Sequence, residues 1–280
     1  MIDRPVALVT GASSGFGLQA SIALVKSGFF VIASMRDLQK REELDKLASI
    51  DMVDKHMEIV QMDVTRPEDI SRAVTDLMQK YQRIDLLLNN AGSACGGFAE
   101  EVEPEEWRSL FEVNVFGLIE VTRAVLPFMR RQKRGRIINM SSISGRFGFP
   151  GLAPYAASKH AVEGFSESLR LEMKPHGVHV VLIEPGSYRT AIWDKGLARF
   201  RERSDSPYAA QNNWLRAAVE KIKEEAPAPD EVIAAVIHAA TVPNPRLRYP
   251  VGRRVGMAVA AKHFLPWKWI ESLVARQMKS

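Results

Sequence analysis

The chain is poor in the features that would place it outside a reducing compartment or across a bilayer. Its one cysteine, Cys95, excludes an internal disulfide and any cysteine-cluster metal site. No apolar run approaches the roughly 18 residues that a membrane-spanning helix needs. The opening Met1-Ile2-Asp3-Arg4-Pro5 leads straight into a strand-like run, with none of the apolar core and cleavage site of a secretory leader. Charge of one sign is also scarce. The net charge is +5 over 280 residues, with the basic side chains gathered toward the C-terminal end, so no nucleic-acid partner is expected. Fixed-period repeats, low-complexity tracts and long linkers are missing. These absences lead us to expect a cytoplasmic protein with no membrane span, folded as one domain over 1–280.

What remains is ordinary globular composition, 46% apolar and 25% charged, with a repeating pattern. Val6-Ala7-Leu8-Val9-Thr10 is a short β-branched run of the kind a buried parallel strand requires. Gly11-Ala12-Ser13-Ser14-Gly15-Phe16-Gly17 follows it, and then a helical stripe from Leu18 to Val25. Strand, glycine turn, helix is the context of a dinucleotide-binding loop. The glycines let a pyrophosphate approach the backbone, and the helix start supplies free N–H groups. Further strands are predicted over 29–34, 56–61, 84–88, 135–140 and 178–183. Helices are predicted over 38–49, 67–81, 153–173 and 227–241, with one long helix over 104–131. Alternating strands and helices predict an α/β fold, a doubly wound parallel sheet with helices on both faces.

Chemistry-bearing residues gather after the strands. Arg36 follows the second strand, where an Arg accommodates the 2′-phosphate of NADP and an acid favours NAD. NADP is therefore the expected cofactor, with Asp37 keeping NAD open. Asp63, followed by Val64, is placed to meet an adenine edge or to cap a turn. Asn89-Asn90-Ala91-Gly92 ends the fourth strand on the edge where open α/β sheets bind ligands. Asn114 is a polar residue inside an otherwise apolar helix and needs partners. Tyr155 and Lys159 stand four residues apart, on one helix face. A fixed positive charge lowers a Tyr pKa, and a drop of ~3 units requires roughly 4 kcal/mol. One lysine gives part of that and a cationic cofactor ring the rest. A Tyr tuned in this way is a general acid/base for an alcohol or a carbonyl.

These parts together resemble the short-chain dehydrogenase/reductase family. Thr10 to Gly17 is similar to its cofactor loop, Asn89-Asn90-Ala91-Gly92 to its mid-domain motif, and Asn114, Ser142, Tyr155 and Lys159 to its catalytic tetrad in order and spacing. Pro185-Gly186 with Thr190 resembles the loop that meets the nicotinamide amide. Phe16 stands where that family commonly has Ile or Leu. The resemblance implies hydride transfer. Tyr155 exchanges a proton with the substrate oxygen, and Ser142 hydrogen-bonds that oxygen. Lys159 binds the nicotinamide ribose and lowers the Tyr pKa, while Asn114 holds a water in a proton relay. The resemblance also implies a homo-oligomer. His160 directly follows Lys159 and so points about 100° away on a helix; it is expected to be structural, Cys95 to be a small packing residue, and no metal site is supported.

The C-terminal third is less regular. Residues 191–225 carry Trp193, Leu197, Phe200, Tyr208, Trp214 and Leu215, and are expected to be an inserted lid over a lipophilic alcohol or carbonyl. The tail, 253–280, interleaves Arg253, Arg254, Lys262, Lys268 and Arg276 with Phe264, Trp267 and Trp269, a basic amphipathic pattern suited to weak contact with a membrane surface. Similar tails, after segments such as Pro245 to Tyr249, occur in the hydroxysteroid and retinol dehydrogenase-like branch. Two other readings remain open: a reductase of a small polar or acyl-thioester carbonyl, and a dinucleotide sensor without catalysis.

Overall fold

The computed structural model of the chain describes residues 3–190, 205–253 and 255–277. Seven parallel strands form one sheet in the order β3-β2-β1-β4-β5-β6-β7. They are β1 (Val6–Thr10), β2 (Phe30–Met35), β3 (Met57–Gln61), β4 (Leu86–Asn89), β5 (Gly135–Met140), β6 (Val178–Pro185) and β7 (Arg248–Val251). Each central strand sends alternate residues to opposite faces. Ala7, Val9, Val31, Ala33, Leu86, Leu88, Val181 and Ile183 pack with α1 (Gly15–Lys26), α2 (Glu42–Ile50) and the helix Asp230–Thr241. Val6, Leu8, Ile32, Leu87, Ile137 and Val180 pack on the other face with α3 (Pro67–Tyr81), α5 (Leu118–Gln132) and α6 (Ala153–Met173). Both faces are thus buried, which is why the strands read as unbroken apolar runs.

The helix predicted over 104–131 is not one α-helix. It comprises α4 (Pro104–Phe111), a π-helical turn (Glu112–Gly117) and α5. A π-turn adds one residue to the winding, and such turns recur at functional sites. Gly117 lies where the turn presses on α3's entry loop: a Cβ there would meet Val64 O at 2.8 Å. The helix predicted over 38–49 begins instead as a 3₁₀ turn, Leu38–Arg41, and becomes α-helical at Glu42.

After β6, residues 191–204 lie outside the described residues, and with them Trp193, Leu197 and Phe200. The remainder of the expected lid forms α7 (Ala209–Glu225), followed by α8 (Asp230–Thr241). The tail forms α9 (Val255–Phe264) and α10 (Trp267–Gln277), with Phe264, Trp267 and Trp269 exposed. No helix among the described residues is long and apolar enough to cross a membrane.

Candidate active site

Strand order reverses between β1 and β4, and the crevice at their carboxyl ends is the binding position of doubly wound sheets. Here two loops are clamped together at that point. Thr10 Oγ1 accepts hydrogen bonds from Asn90 N and Ala91 N, both at 2.9 Å. Asn90 Nδ2 donates to Thr10 O at 2.9 Å and to Gly11 O at 3.1 Å. Space for this clamp exists because residue 17 is glycine: a Cβ there would stand 2.3 Å from Asn90 Nδ2. Gly11 and Gly15 both adopt left-handed φ, +68° and +58°, which disfavours residues with a Cβ. The loop therefore offers bare backbone and the uncapped start of α1 to the crevice.

A cleft of about 300 Å³ runs along this edge. Its walls include Gly11, Ser13, Ser14, Gly15, Phe16, Arg36, Asp63, Val64, Asn90, Ala91, Gly92, Tyr155, Lys159 and Thr190. Gly17 sits behind the glycine loop, and Pro185 and Gly186 at the end of β6, where Gly186 N donates to Val251 O at 2.9 Å. Asp63 caps a turn, accepting from Thr65 N at 3.0 Å and from Thr65 Oγ1 at 2.8 Å. That was one of its two expected roles. Lys40 and Ser93 also line the cleft and were missed. Lys40 is hidden in sequence by the charged run around it.

Asp37 is already engaged at the rim. Its carboxylate accepts from Gln39 N at 3.0 Å, capping the 3₁₀ turn, and lies 3.8 Å from Lys40 Nζ. Arg36 is exposed beside it, and its carbonyl accepts from Gln61 Nε2 at 3.2 Å.

At the other end of the cleft Tyr155 and Lys159 on α6 form part of the wall, while Ser142 after β5 and Asn114 in the π-turn are buried and are not among the lining residues. Lys159 Nζ donates to Met140 O at 2.8 Å and lies 5.7 Å from the Tyr155 ring centroid. Ser142 Oγ caps a short turn, accepting from Ser144 N at 3.1 Å. Asn114 is 1% exposed, and its carboxamide mimics a peptide group. Its Oδ1 accepts from Ser93 N at 2.8 Å, and its Nδ2 donates to Ser93 O at 2.9 Å and to Ser158 Oγ at 3.1 Å. The π-turn delivers this inward aim. Asn114 Oδ1 and Lys159 Nζ both face Gly92, within 3.4 and 4.0 Å of where a Cβ would sit.

The expected lowering of the Tyr155 pKa is not what the protein alone produces. Burial pushes the phenol up to about 12, and the hydrogen bond with Ser142 pulls only weakly the other way. Burial lowers Lys159 to about 8, opposed by Glu163 one turn along the helix. Desolvation disfavours both charged forms, and here it is the larger cause for each group. At pH 7 the phenol is protonated and the amine still largely charged.

Behind Tyr155 the wall is apolar. Its ring packs with Trp107 against Cys95, Val102 and Leu110, so Cys95 is a packing residue. Above it Gly97 N donates to Gly151 O at 2.8 Å, Leu215 of α7 contacts Gly151, and Phe98 stacks on Tyr208 at 4.6 Å. His160 points away from the cleft, its Nδ1 2.8 Å from Ala156 O. Among the described residues no group of three or more His, Cys, Asp or Glu could hold a metal.

The family described as short chain dehydrogenase matches residues 5–199. An uncharacterised oxidoreductase of Bacillus subtilis is 44% identical over 100% of both chains. The 3-ketodihydrosphingosine reductase of Bacteroides thetaiotaomicron is 34% identical over 93% of each. Among solved structures, a short chain dehydrogenase/reductase from Burkholderia phymatum in complex with NAD is 26% identical, with a TM-score of 0.80 over 94% of this chain and 95% of that one. A serine dehydrogenase complexed with NADP+ is 30% identical, with a TM-score of 0.76 over 88% and 94%.

Proposed function

The chain belongs to the short chain dehydrogenase family, and from that premise we propose that it is an NADP(H)-preferring oxidoreductase. It interconverts a hydroxyl and a carbonyl on a lipophilic substrate of steroid, retinoid or lipid type. The observation that carries the reaction is the meeting of Tyr155, Lys159 and the glycine loop in one cleft. The left-handed glycines and the close seat of Gly17 fit a dinucleotide pyrophosphate. When bound, the nicotinamide supplies or accepts the hydride.

The chain's own residues handle the proton and the developing charge. Tyr155 gives its phenolic proton to the substrate oxygen during reduction and takes it back during oxidation. Ser142 donates a hydrogen bond to that oxygen, a preorganised contact that strengthens as charge builds. Lys159 holds the ribose hydroxyls and keeps a positive charge near the phenol. Asn114 fixes the Ser93 loop and, with Lys159 across Gly92, borders the path by which Tyr155 regains its proton.

The rim supports NADP over NAD: Arg36 and Lys40 offer positive charge, while the Asp37 carboxylate is committed to the turn. The apolar wall around Tyr155, and the name of the Bacteroides relative, support a long-chain or polycyclic carbonyl. The test is NADPH oxidation at 340 nm with a panel of ketosteroids, retinals and long-chain ketones. Tyr155→Phe is expected to lose at least about 10³-fold in kcat while binding NADPH within about twofold. Retained turnover would remove the acid/base assignment, and turnover confined to polar or thioester carbonyls would replace the substrate class.

A further inference from the structure

Behind the reacting groups lies a buried cluster of charge that the mechanism above does not use. Glu184, at the end of β6, is 1% exposed, and Glu163, one turn beyond Lys159 on α6, is 5% exposed. Both carboxylates converge on the Arg248 guanidinium of β7, each at 3.0 Å. Glu184 Oε1 also accepts from Arg146 at 3.2 Å. Arg146 ends the short turn that Ser142 caps. The turn is seated directly on α6, because a Cβ at Gly145 would lie 3.0 Å from Glu163 Cγ and 3.1 Å from Lys159 O. Lys262 of α9 holds the Arg146 carbonyl from outside, and exposed Glu167 pairs with Arg248 from the solvent side.

We propose that Glu184 is a positioning residue for the reaction. Held by Arg146 and Arg248, it ties the turn carrying Ser142 to the Pro185-Gly186 edge and to the helix carrying Tyr155 and Lys159. A single carboxylate thus fixes three elements of the cleft against one another. Small displacements of reacting groups are expensive, on the order of 10²-fold in rate for ~1 Å.

The clamp also responds to pH. The groups facing Glu184 and its partners are Arg146 from the turn, Glu163, Glu167 and Lys159 from α6, Arg248 from β7 and Lys262 from α9. Burial and the neighbouring Glu163 push the Glu184 carboxyl up to about 7, against the pull of the two arginines. As pH rises through neutrality Glu184 loses its proton and its carboxylate grips the two arginines at full charge.

The proposal rests on the oxidoreductase reading, and the test separates the two. Full-length parent, Glu184→Gln, Glu184→Ala and Glu167→Gln are compared for kcat, NADPH affinity by fluorescence, and thermal midpoint, at about pH 6 and about pH 8. Glu184→Ala is expected to lose about 10- to 100-fold in kcat at the higher pH, with NADPH Kd changed by no more than about threefold. Glu184→Gln keeps the shape but cannot ionise. Its kcat is expected to match the parent at about pH 6 and to fall at least about fivefold below it at about pH 8. Glu167→Gln is expected to behave as the parent. A parent-to-Gln ratio that does not change with pH, or a Glu184→Gln kcat equal to the parent at both, overturns the proposal. If Glu184→Ala does not fold, the glutamine variant decides alone. An inactive parent would instead count against the oxidoreductase reading.

Discussion

Replacing Arg36 with Ala tests the cofactor assignment at a point where the backbone will not move. The Arg36 carbonyl is held by Gln61 Nε2 at 3.2 Å, and Met62 N donates to Met35 O at 3.0 Å. Truncation therefore removes a guanidinium and leaves the rim standing. A hydrogen bond to a charged group contributes about 1.5–3 kcal/mol. Arg36 is exposed, so the contribution is discounted for screening to about 1–2 kcal/mol. At 1.4 kcal/mol per factor of ten, this weakens NADPH by about 5- to 30-fold. NADH has no 2′-phosphate and is expected to change by less than about twofold. Lys40→Ala is expected to do less, because Asp37 already shares its charge at 3.8 Å. Fluorescence titration of both cofactors at low and moderate salt reads the result. The parent's preference for NADPH is expected to shrink with added salt. Equal losses on NADPH and NADH, or a preference indifferent to salt, would refute the argument from the rim.

Lys159 predicts a second limb in the pH profile. Its pKa lies lowered at about 8, so the ammonium is present below that pH and lost above it. The kcat/KM for carbonyl reduction is expected to fall by about tenfold per pH unit beyond the break, and a profile flat to about pH 9.5 would contradict it. Gly17→Ala places a Cβ 2.3 Å from Asn90 Nδ2 and 2.4 Å from Gly11 O. Overpacking and the lost Asn90 bonds together cost about 2–4 kcal/mol. This variant is expected to lower the thermal midpoint and to weaken both cofactors alike, unlike Arg36→Ala. An unchanged midpoint would mean that the two loops part without cost.

Parts of the site were legible in the sequence because backbone requirements write themselves into residue type. Left-handed φ at Gly11 and Gly15 leaves a glycine signature, and a sheet buried on both faces leaves apolar runs. The helix over Ala153–Met173 lies where its pattern placed it, starting with a proline in its first turn. The π-turn was not legible. Its apolar residues continue the helical stripe on either side, and one extra residue in the winding changes no residue type. Only Asn114 and Gly117 hint at it. The Glu184 cluster was invisible for another reason. Arg146, Glu163, Glu184 and Arg248 come from a turn, a helix and two strands, and no spacing rule joins them. Lys40 reads as one more charge in a solvated run until the 3₁₀ turn after Asp37 brings it to the rim.

With Tyr155 as the proposed acid/base, its proton balance divides between the protein and the cofactor. With the phenol near 12, bringing it to half-ionisation at pH 7 takes about five pKa units, or roughly 7 kcal/mol. Lys159 alone does not supply this, since desolvation is the larger influence on both groups and its Nζ already donates a hydrogen bond to Met140 O. In the proposed reaction, reduction needs no such supply, because Tyr155 begins protonated and would only have to donate. Oxidation needs a phenolate, and the further positive charge that favours one is present only while the nicotinamide ring is oxidised. The reduced ring is neutral. In the proposed enzyme Tyr155 would therefore stay a proton donor beside the neutral, reduced cofactor and become easier to ionise beside the oxidised one. On the proposed reading a single residue would serve as acid in one direction and base in the other, its pKa following the charge of the bound cofactor. Burial of the phenol, costly as it is for oxidation, is what makes that dependence steep, since a charge interacts more strongly across a dry site than across water.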